Sequence, residues 1–280
     1  MLRSRKAKEI YYKTDEEVER IRESCLLVCK VLSYVGSKLR AGINGDELDR
    51  EAEEMIRDHG ALPGFKGLYG CPSTLLVSQN EEVVHGLPTK PRPFQDGDIV
   101  SIDCGVLMNG FYGDAAYTFP IGEIDEKVMR LLSVTKASLY RGIDAAQPGK
   151  RIGDISHAIQ HFVEREHRYS VVRELVGHGL GRSLHEDPEV PNFGMRGRGV
   201  VLKEGLVIAI EPMVNMGRKE VRAAKDGWTI YARDRKPSAH FEHSVVIKKD
   251  GAECLSDHTP IEAAIEANPN LTSVKDLQAV

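Results

Sequence analysis

The chain has 280 residues, 41% of them hydrophobic and 29% charged. That composition excludes a disordered polyelectrolyte and supplies a core large enough to need neither disulfides nor a structural metal. Lys and Arg number 38 against 42 Asp and Glu, a formal net charge of −4, which excludes a general polyanion-binding footprint.

Residues 1–13 read as a polar N-terminal arm. Its start, MLRSRKAKEI, is basic but no apolar run follows, so no secretory signal is expected. Thr14 with Glu17 has the spacing of a capping box. Val18, Ile21, Cys25, Val28, Leu32, Val35 and Leu39 then recur at helical spacing up to Gly42. This places Cys25 and Cys29 as packed thiols on one helix face. The other cysteines are Cys71, Cys104 and Cys254; an odd set without a CxxC pair argues against a disulfide framework and a zinc ribbon. The apolar stretch 25–32 is too short to cross a bilayer and carries Lys30. Leu48, Ala52, Met55, Ile56 and His59 mark a second amphipathic helix ending at Gly60, and 61–72 read as a Gly- and Pro-rich loop.

Strands are expected at 75–78 and 99–107, the second followed by Asn109-Gly110, the strongest short hairpin signal. Helical patterns return at 125–141 and 154–166, and strand-like runs at 171–176, 206–214, 228–232 and 241–248. The last 25 or so residues read as a polar tail. No Gly/Ser linker divides the chain. DGDIVSID (96–103) and EGLVIAIE (204–211) echo one another. Each has an acid and a glycine, then an apolar strand, then a carboxylate seven positions after the first acid. The echo points to one α/β domain built of two related halves around one site.

A two-residue turn at Asn109-Gly110 pairs Met108 with Phe111, so Asp103 faces Ala116 and Asp114 faces Gly105. Because side chains alternate along a strand, Asp103 and Asp114 share a face as diagonal neighbours roughly 5–8 Å apart. Glu211 ends the apolar run 206–210, and Glu242 sits between Phe241 and His243 at the start of another strand. Four carboxylates on strands expected to be buried must be protonated, paired with arginine or bound to metal. His178 lies in the glycine-rich segment VGHGLGRSLHEDPEV (176–190), with His185 seven positions on. A set of one histidine and four carboxylates suits hard or borderline divalent ions such as Mn, Fe, Co or Zn. HFVEREH (161–167) lacks the spacing of a zincin helix and reads as a solvated helix face.

At this point the sequence resembles the type I methionine aminopeptidases over residues 14–255. The resemblance rests on EEVVHGLP (81–88), SIDCGV (101–106) with YGDAAYTF (112–119), GHGLGRSLHEDPEVPN (177–192), AIEPM (209–213) and AHFEHSVVI (239–247). It implies the pita-bread α/β (α+β) fold: two pseudo-symmetric halves, antiparallel strands lining a dinuclear metal site, and helices outside. One catalytic domain would cover 14–255, between the arm (1–13) and the tail (256–280).

By motif, Asp114, His178, Glu211 and Glu242 would hold one divalent cation, and Asp103, Asp114 and Glu242 the second. Glu211 would move the proton, His185 would stabilise the carbonyl oxygen, and His85 would contact the substrate near the scissile amide. The activity implied is removal of N-terminal methionine from nascent chains in the cytoplasm, with preference for a small second residue. The absence of a long insertion between His185 and Glu211 separates type I from type II in this family. The enlarged N-terminal domain and doubled-His motif of Xaa-Pro peptidases are absent as well.

A methionine pocket is expected from Phe65, Leu68, Cys71, Leu76, Leu184 and Trp228. Cys71 stands where an aromatic is common, Leu76 where a cysteine is, and Leu184 where an aromatic often precedes the second histidine; His240 replaces the more usual glutamine. Arg3, Arg5, Lys6 and Lys8 in the arm read either as a solvated tail or as a transient ribosome contact. The resemblance implies a monomer with no membrane partner and no sequence-specific nucleic acid.

Overall fold

The computed structural model describes residues 9–89 and 92–277; the arm's Arg3, Arg5, Lys6 and Lys8 lie outside them. In chain order the elements that build the site are α1 (Asp15–Lys38), α2 (Gly45–Asp58), β1 (Leu75–Gln79), β2 (Ile99–Met108), β3 (Phe111–Pro120), α3 (Glu126–Ala145), α4 (Ile152–Gln160), β4 (Gly177–Gly179), β5 (Glu186–Val190), β6 (Val207–Ile210), β7 (Met213–Asn215), β8 (Ser238–His240), β9 (Glu242–Lys248), β10 (Gly251–Cys254) and α5 (Thr259–Ala267).

The first helix follows from its sequence. The Thr14 hydroxyl accepts from the Glu17 amide at 3.3 Å and the Glu17 carboxylate accepts from the Thr14 amide at 3.2 Å, so two orphan donors are satisfied reciprocally. The apolar positions then form one buried stripe from Val18 to Val35. That stripe lies across β2 and β3, and the contact is close where Gly113 passes beneath it. A Cβ at Gly113 would come within 2.4 Å of the backbone at Ser24 and Cys25.

A nine-stranded antiparallel sheet forms the frame, in the order Leu62–Pro63, β2, β3, β9, β6, β4, β5, with β1 also on β2 and β10 on β9. The β2–β3 hairpin has the register expected from its turn: Met108 opposite Phe111, Asp103 opposite Ala116 and Gly105 opposite Asp114. The two echoed strands, β2 and β6, lie one strand out on either side of the central β3–β9 pair. The internal echo is therefore a pseudo-twofold about that pair. The main hydrophobic cluster fills the space between the sheet and the helices. A second cluster around Phe65, Leu76, Phe111, Leu184 and Leu255 lines the opposite face, where the functional groups lie.

Four segments differ from expectation. The strand expected at 171–176 shortens to Ser170–Val171. The run 206–214 breaks into β6 and β7 because Pro212 has no amide to donate, which leaves Glu211 between strands. The end of the arm is docked rather than free, since Lys13 is buried and paired with Glu186 at 2.5 Å. The C-terminal segment read as a polar tail contains α5, which buries Ile261 and Ile265 and packs along α1. Just beyond it the Asn268 amide donates to the carbonyls of Gly36 (2.9 Å) and Leu39 (2.8 Å), capping the end of α1.

Gly113→Ala is expected to lower stability by about 1–3 kcal/mol, because backbone rather than a flexible side chain occupies the space. Urea denaturation checks this; an unchanged midpoint would mean that α1 and β3 are not in contact there.

Candidate metal centre

The register of three strands builds most of the centre. Leu76 on β1 stands opposite Asp103 on β2, Asp103 opposite Ala116 on β3, and Ala116 opposite Glu242 on β9. Directly opposed residues share a face, so Leu76, Asp103, Ala116 and Glu242 form one row across the sheet. Asp114, two residues from Ala116, points the same way. Small Ala116 at the middle of the row leaves the space into which the acids project. Glu211 follows Ile210, which pairs with His243, and so enters from the neighbouring strand beside Glu242.

His178 sits on β4 between Gly177 and Gly179. A Cβ at Gly177 would lie 2.3 Å from the Ala209 carbonyl oxygen and one at Gly179 2.4 Å from that of Asp187. Only glycine lets β4 approach its neighbours closely enough to bring the imidazole in. The His178 Nδ1 lies 2.9 Å from the Gly179 carbonyl oxygen, which can only accept. Nδ1 therefore carries the proton, and Nε2 presents its lone pair to the centre. That Nε2 is 3.7 Å from Asp114 Oδ2 and 3.6 Å from Glu211 Oε1. Ligand atoms of Asp114, His178 and Glu242 all fall within 4.8 Å of one another.

Electrostatically the centre is unbalanced. Asp103 Oδ1, Asp114 Oδ1 and Glu242 Oε1 are buried without a hydrogen-bond partner. Among the described residues no Lys or Arg nitrogen pairs with any of the four acids; the nitrogens near them belong to imidazoles that burial keeps neutral, His178 beside Asp114 and Glu211, and His240, whose Nε2 is 3.8 Å from Glu211. Burial pushes the Asp103 carboxyl up to about 7. Burial first, and then repulsion from neighbouring carboxylates, hold Asp114, Glu211 and Glu242 well above the usual range. Burial lowers His178 to about 3, with His185 adding to the effect. Arginine pairing is thereby removed from the three ways of balancing the charge; protonation and cations remain. Unpartnered carboxylate oxygens converging with an imidazole lone pair fit hard or borderline divalent cations.

The acids form one end of a cavity of about 140 Å³. The other end is apolar and comprises all six residues expected from sequence: Phe65, Leu68, Cys71, Leu76, Leu184 and Trp228. Phe65 packs against Gly105, where a Cβ would meet its ring at 2.6 Å. Trp228 is held by a turn in which Asp226 accepts from the amides of Trp228 and Thr229, both at 2.9 Å. His185 stands edge-on to His178, ring centroids 4.4 Å apart, and His85 lines the same space. Burial lowers the pKa of both His185 and His85, so each is a neutral imidazole near pH 7.

All thirteen residues singled out from sequence therefore surround one cavity. One more lines it that sequence reasoning missed, Tyr69. Its only sequence signal is an aromatic wedged into the glycine-rich loop between Gly67 and Gly70. His161–Glu166, in contrast, forms an outlying helical turn with His161 exposed, away from the cavity, in line with a solvated face.

The pattern of metallopeptidase family M24 matches residues 19–249. A protein of Clostridium perfringens described as a methionine aminopeptidase is 49% identical over 88% of this chain and 98% of its own length. The crystal structure of methionine aminopeptidase from Thermotoga maritima superposes with a TM-score of 0.87 at 43% identity, covering 89% of this chain and all of that one. A prolidase from Pyrococcus furiosus shares the fold at a TM-score of 0.72 and 24% identity, and this chain covers 65% of it.

Removing metal should make stability depend on pH. The four carboxyls hold protons more tightly folded than unfolded, so their contribution is full below the ordinary carboxyl pKa of about 4. It is lost as pH rises through about 7 for Asp103, and through pKa values that burial and mutual repulsion hold well above the usual carboxyl range for the others. The buried histidines act with the opposite sign, but only below about 6.5. Between pH 6.5 and 8.5 chelated protein is thus expected to lose about 1.4 kcal/mol per pH unit for each carboxyl still protonated. Manganese or cobalt should restore melting temperature more at pH 8.5 than at 6.5. A flat profile without metal response would contradict the cluster.

Proposed function

The chain belongs to metallopeptidase family M24, whose members use divalent metal, and we infer that its reaction is hydrolytic release of N-terminal methionine from polypeptides, nascent chains being the substrates. The observation that carries this reading is one cavity with two unlike ends. Its acidic end suits cations and a free amino group, and its apolar end suits an unbranched thioether. The assignment rests also on relatives of that description matched over nearly their whole length.

In this proposal Asp114, His178, Glu211 and Glu242 would hold one cation and Asp103, Asp114 and Glu242 a second; two charges of +2 offset four carboxylates. When bound, the cations supply a nucleophilic water near neutral pH and polarise the carbonyl. Everything else is the work of side chains. The apolar end holds the methionine side chain and excludes water from it. The neutral free α-amine would sit at the cation-loaded end, its lone pair available there as an amide nitrogen's is not, which restricts cleavage to the chain end. Glu211, which enters the centre beside Glu242, accepts the proton of the attacking water and delivers it to the departing amine. His185, neutral, donates a hydrogen bond to the carbonyl oxygen as negative charge develops there. His85 donates near the scissile amide.

We further place the catalytic unit at 14–255, with α5 as its brace, and the enzyme in the cytoplasm as a monomer with a small second residue preferred and any ribosome contact transient. No helix among the described residues is long and apolar enough to cross a membrane.

Asp114→Asn should abolish metal binding and turnover together, read as metal stoichiometry and methionine release from a Met-Ala-Ser peptide; full activity would refute the ligand assignment. His185→Ala should lower kcat by roughly 10²–10³-fold with little change in KM, and a pure KM effect would make it a binding residue instead. Release from Met-Ala and Met-Pro peptides, without cleavage of Ala-Pro peptides, separates this activity from that of a prolidase.

A further inference from the structure

One residue at the mouth of the cavity has no part in the reaction as described. Tyr69 is 76% exposed, yet its ring is stacked on His185, with centroids 5.8 Å apart and planes 23° apart. Its backbone is left-handed, at φ 52°, between Gly67 at φ 87° and Gly70 at φ 84°. A bulky residue is uncommon in that region and persists only where its surroundings over-determine it. Here the loop is closed by its own backbone. The Leu68 amide donates to the Phe65 carbonyl at 2.9 Å, the Cys71 amide to that of Leu68 at 2.9 Å, and the Gly67 amide to that of Cys71 at 2.8 Å. The turn buries Phe65 and Cys71 against the apolar end and holds Tyr69 out over the imidazole.

We propose that Tyr69 is the specificity residue that limits the size of the second residue of the substrate. The inference rests on the functional reading above. With the methionine side chain in the apolar end and its amine at the acids, the carbonyl lies at His185 and the chain leaves past it. The next Cα follows 3.8 Å after the first, so the second side chain emerges beside His185, against the ring stacked there. Glycine, alanine or serine leaves that ring in place. Valine or leucine meets that ring, and displacing it gives up the stacking on His185. Discrimination at the level of one methylene group is roughly 10–200-fold.

The test compares kcat/KM for Met-Ala-Ser, Met-Val-Ser and Met-Leu-Ser peptides in wild type, Tyr69→Gly, Tyr69→Phe and Tyr69→Trp. Glycine removes the ring and suits the left-handed backbone. The Met-Val to Met-Ala ratio should rise at least tenfold in the glycine variant, stay at the wild-type value with phenylalanine and fall further with tryptophan. Should the glycine variant fail to fold, the phenylalanine and tryptophan variants still decide the matter through that ratio. A ratio unchanged across the series, with methionine still released from Met-Ala-Ser, overturns the proposal and leaves the activity standing. A wild-type protein that releases no methionine from any of the peptides overturns the functional reading itself.

Discussion

Four carboxylates crowded beside one another, Asp114 and Glu242 buried and Asp103 and Glu211 half-buried, repel, and the rest of the molecule is organised around holding them there. None has a lysine or arginine partner among the described residues, and three of their oxygens are buried without a donor. In an unliganded fold this arrangement costs stability, because like charges in a dry site must be protonated or balanced. A scaffold that keeps such a cluster has to be rigid. Asp103, Asp114 and Glu242 are accordingly set on adjacent strands in register rather than on loops. The packing of α1 on Gly113, the capping of α1 by Asn268 and the docking of α5 extend that rigidity from the strands outward.

The division of labour between strands and loops follows. Groups that must sit within tenths of an ångström of one another are on the sheet and on glycine-flanked β4. The apolar groups around the cavity are on connections: Phe65, Leu68 and Cys71 on the segment after α2, Leu184 on the β4–β5 loop, and Trp228 on a turn held by Asp226. Cys71 and Leu184 keep this end of the cavity apolar, which suits an occupant held by dispersion contact and excluded water rather than by a directed bond. His240 is a different case. It is buried with Nε2 unpartnered, 3.8 Å from Glu211 Oε2, and burial lowers its pKa to about 3. A neutral imidazole, polar but without net charge, thus faces Glu211.

Much of the site was legible in the linear sequence. The Asn109-Gly110 turn sets the register of the longest hairpin, and the register alone puts Asp103 and Asp114 on one face with Gly105 and Ala116. Carboxylates at the ends of apolar runs mark positions where burial and charge conflict, so Glu211 and Glu242 stood out before any fold was known. The glycine-rich segment 176–190 marked His178, and the family resemblance then supplied His85, the role of His185 and the pocket. Less of the periphery was legible. The C-terminal segment looked like a polar tail because α5 buries only a narrow face, Ile261 and Ile265. The strand expected at 171–176 is two residues long because an apolar run states that a segment is covered and not what covers it.

By itself the sequence determined the carboxylates, His178, the hairpin register and the internal echo, because each depends on local periodicity, a glycine-rich segment or one turn. Only the tertiary structure decided that β3 and β9 lie side by side as the centre of one sheet. That pairing joins residues more than a hundred positions apart, and no local pattern encodes such a contact. It also decided the placement of Tyr69, whose left-handed backbone and exposed ring over His185 arise from a loop closed against the pocket.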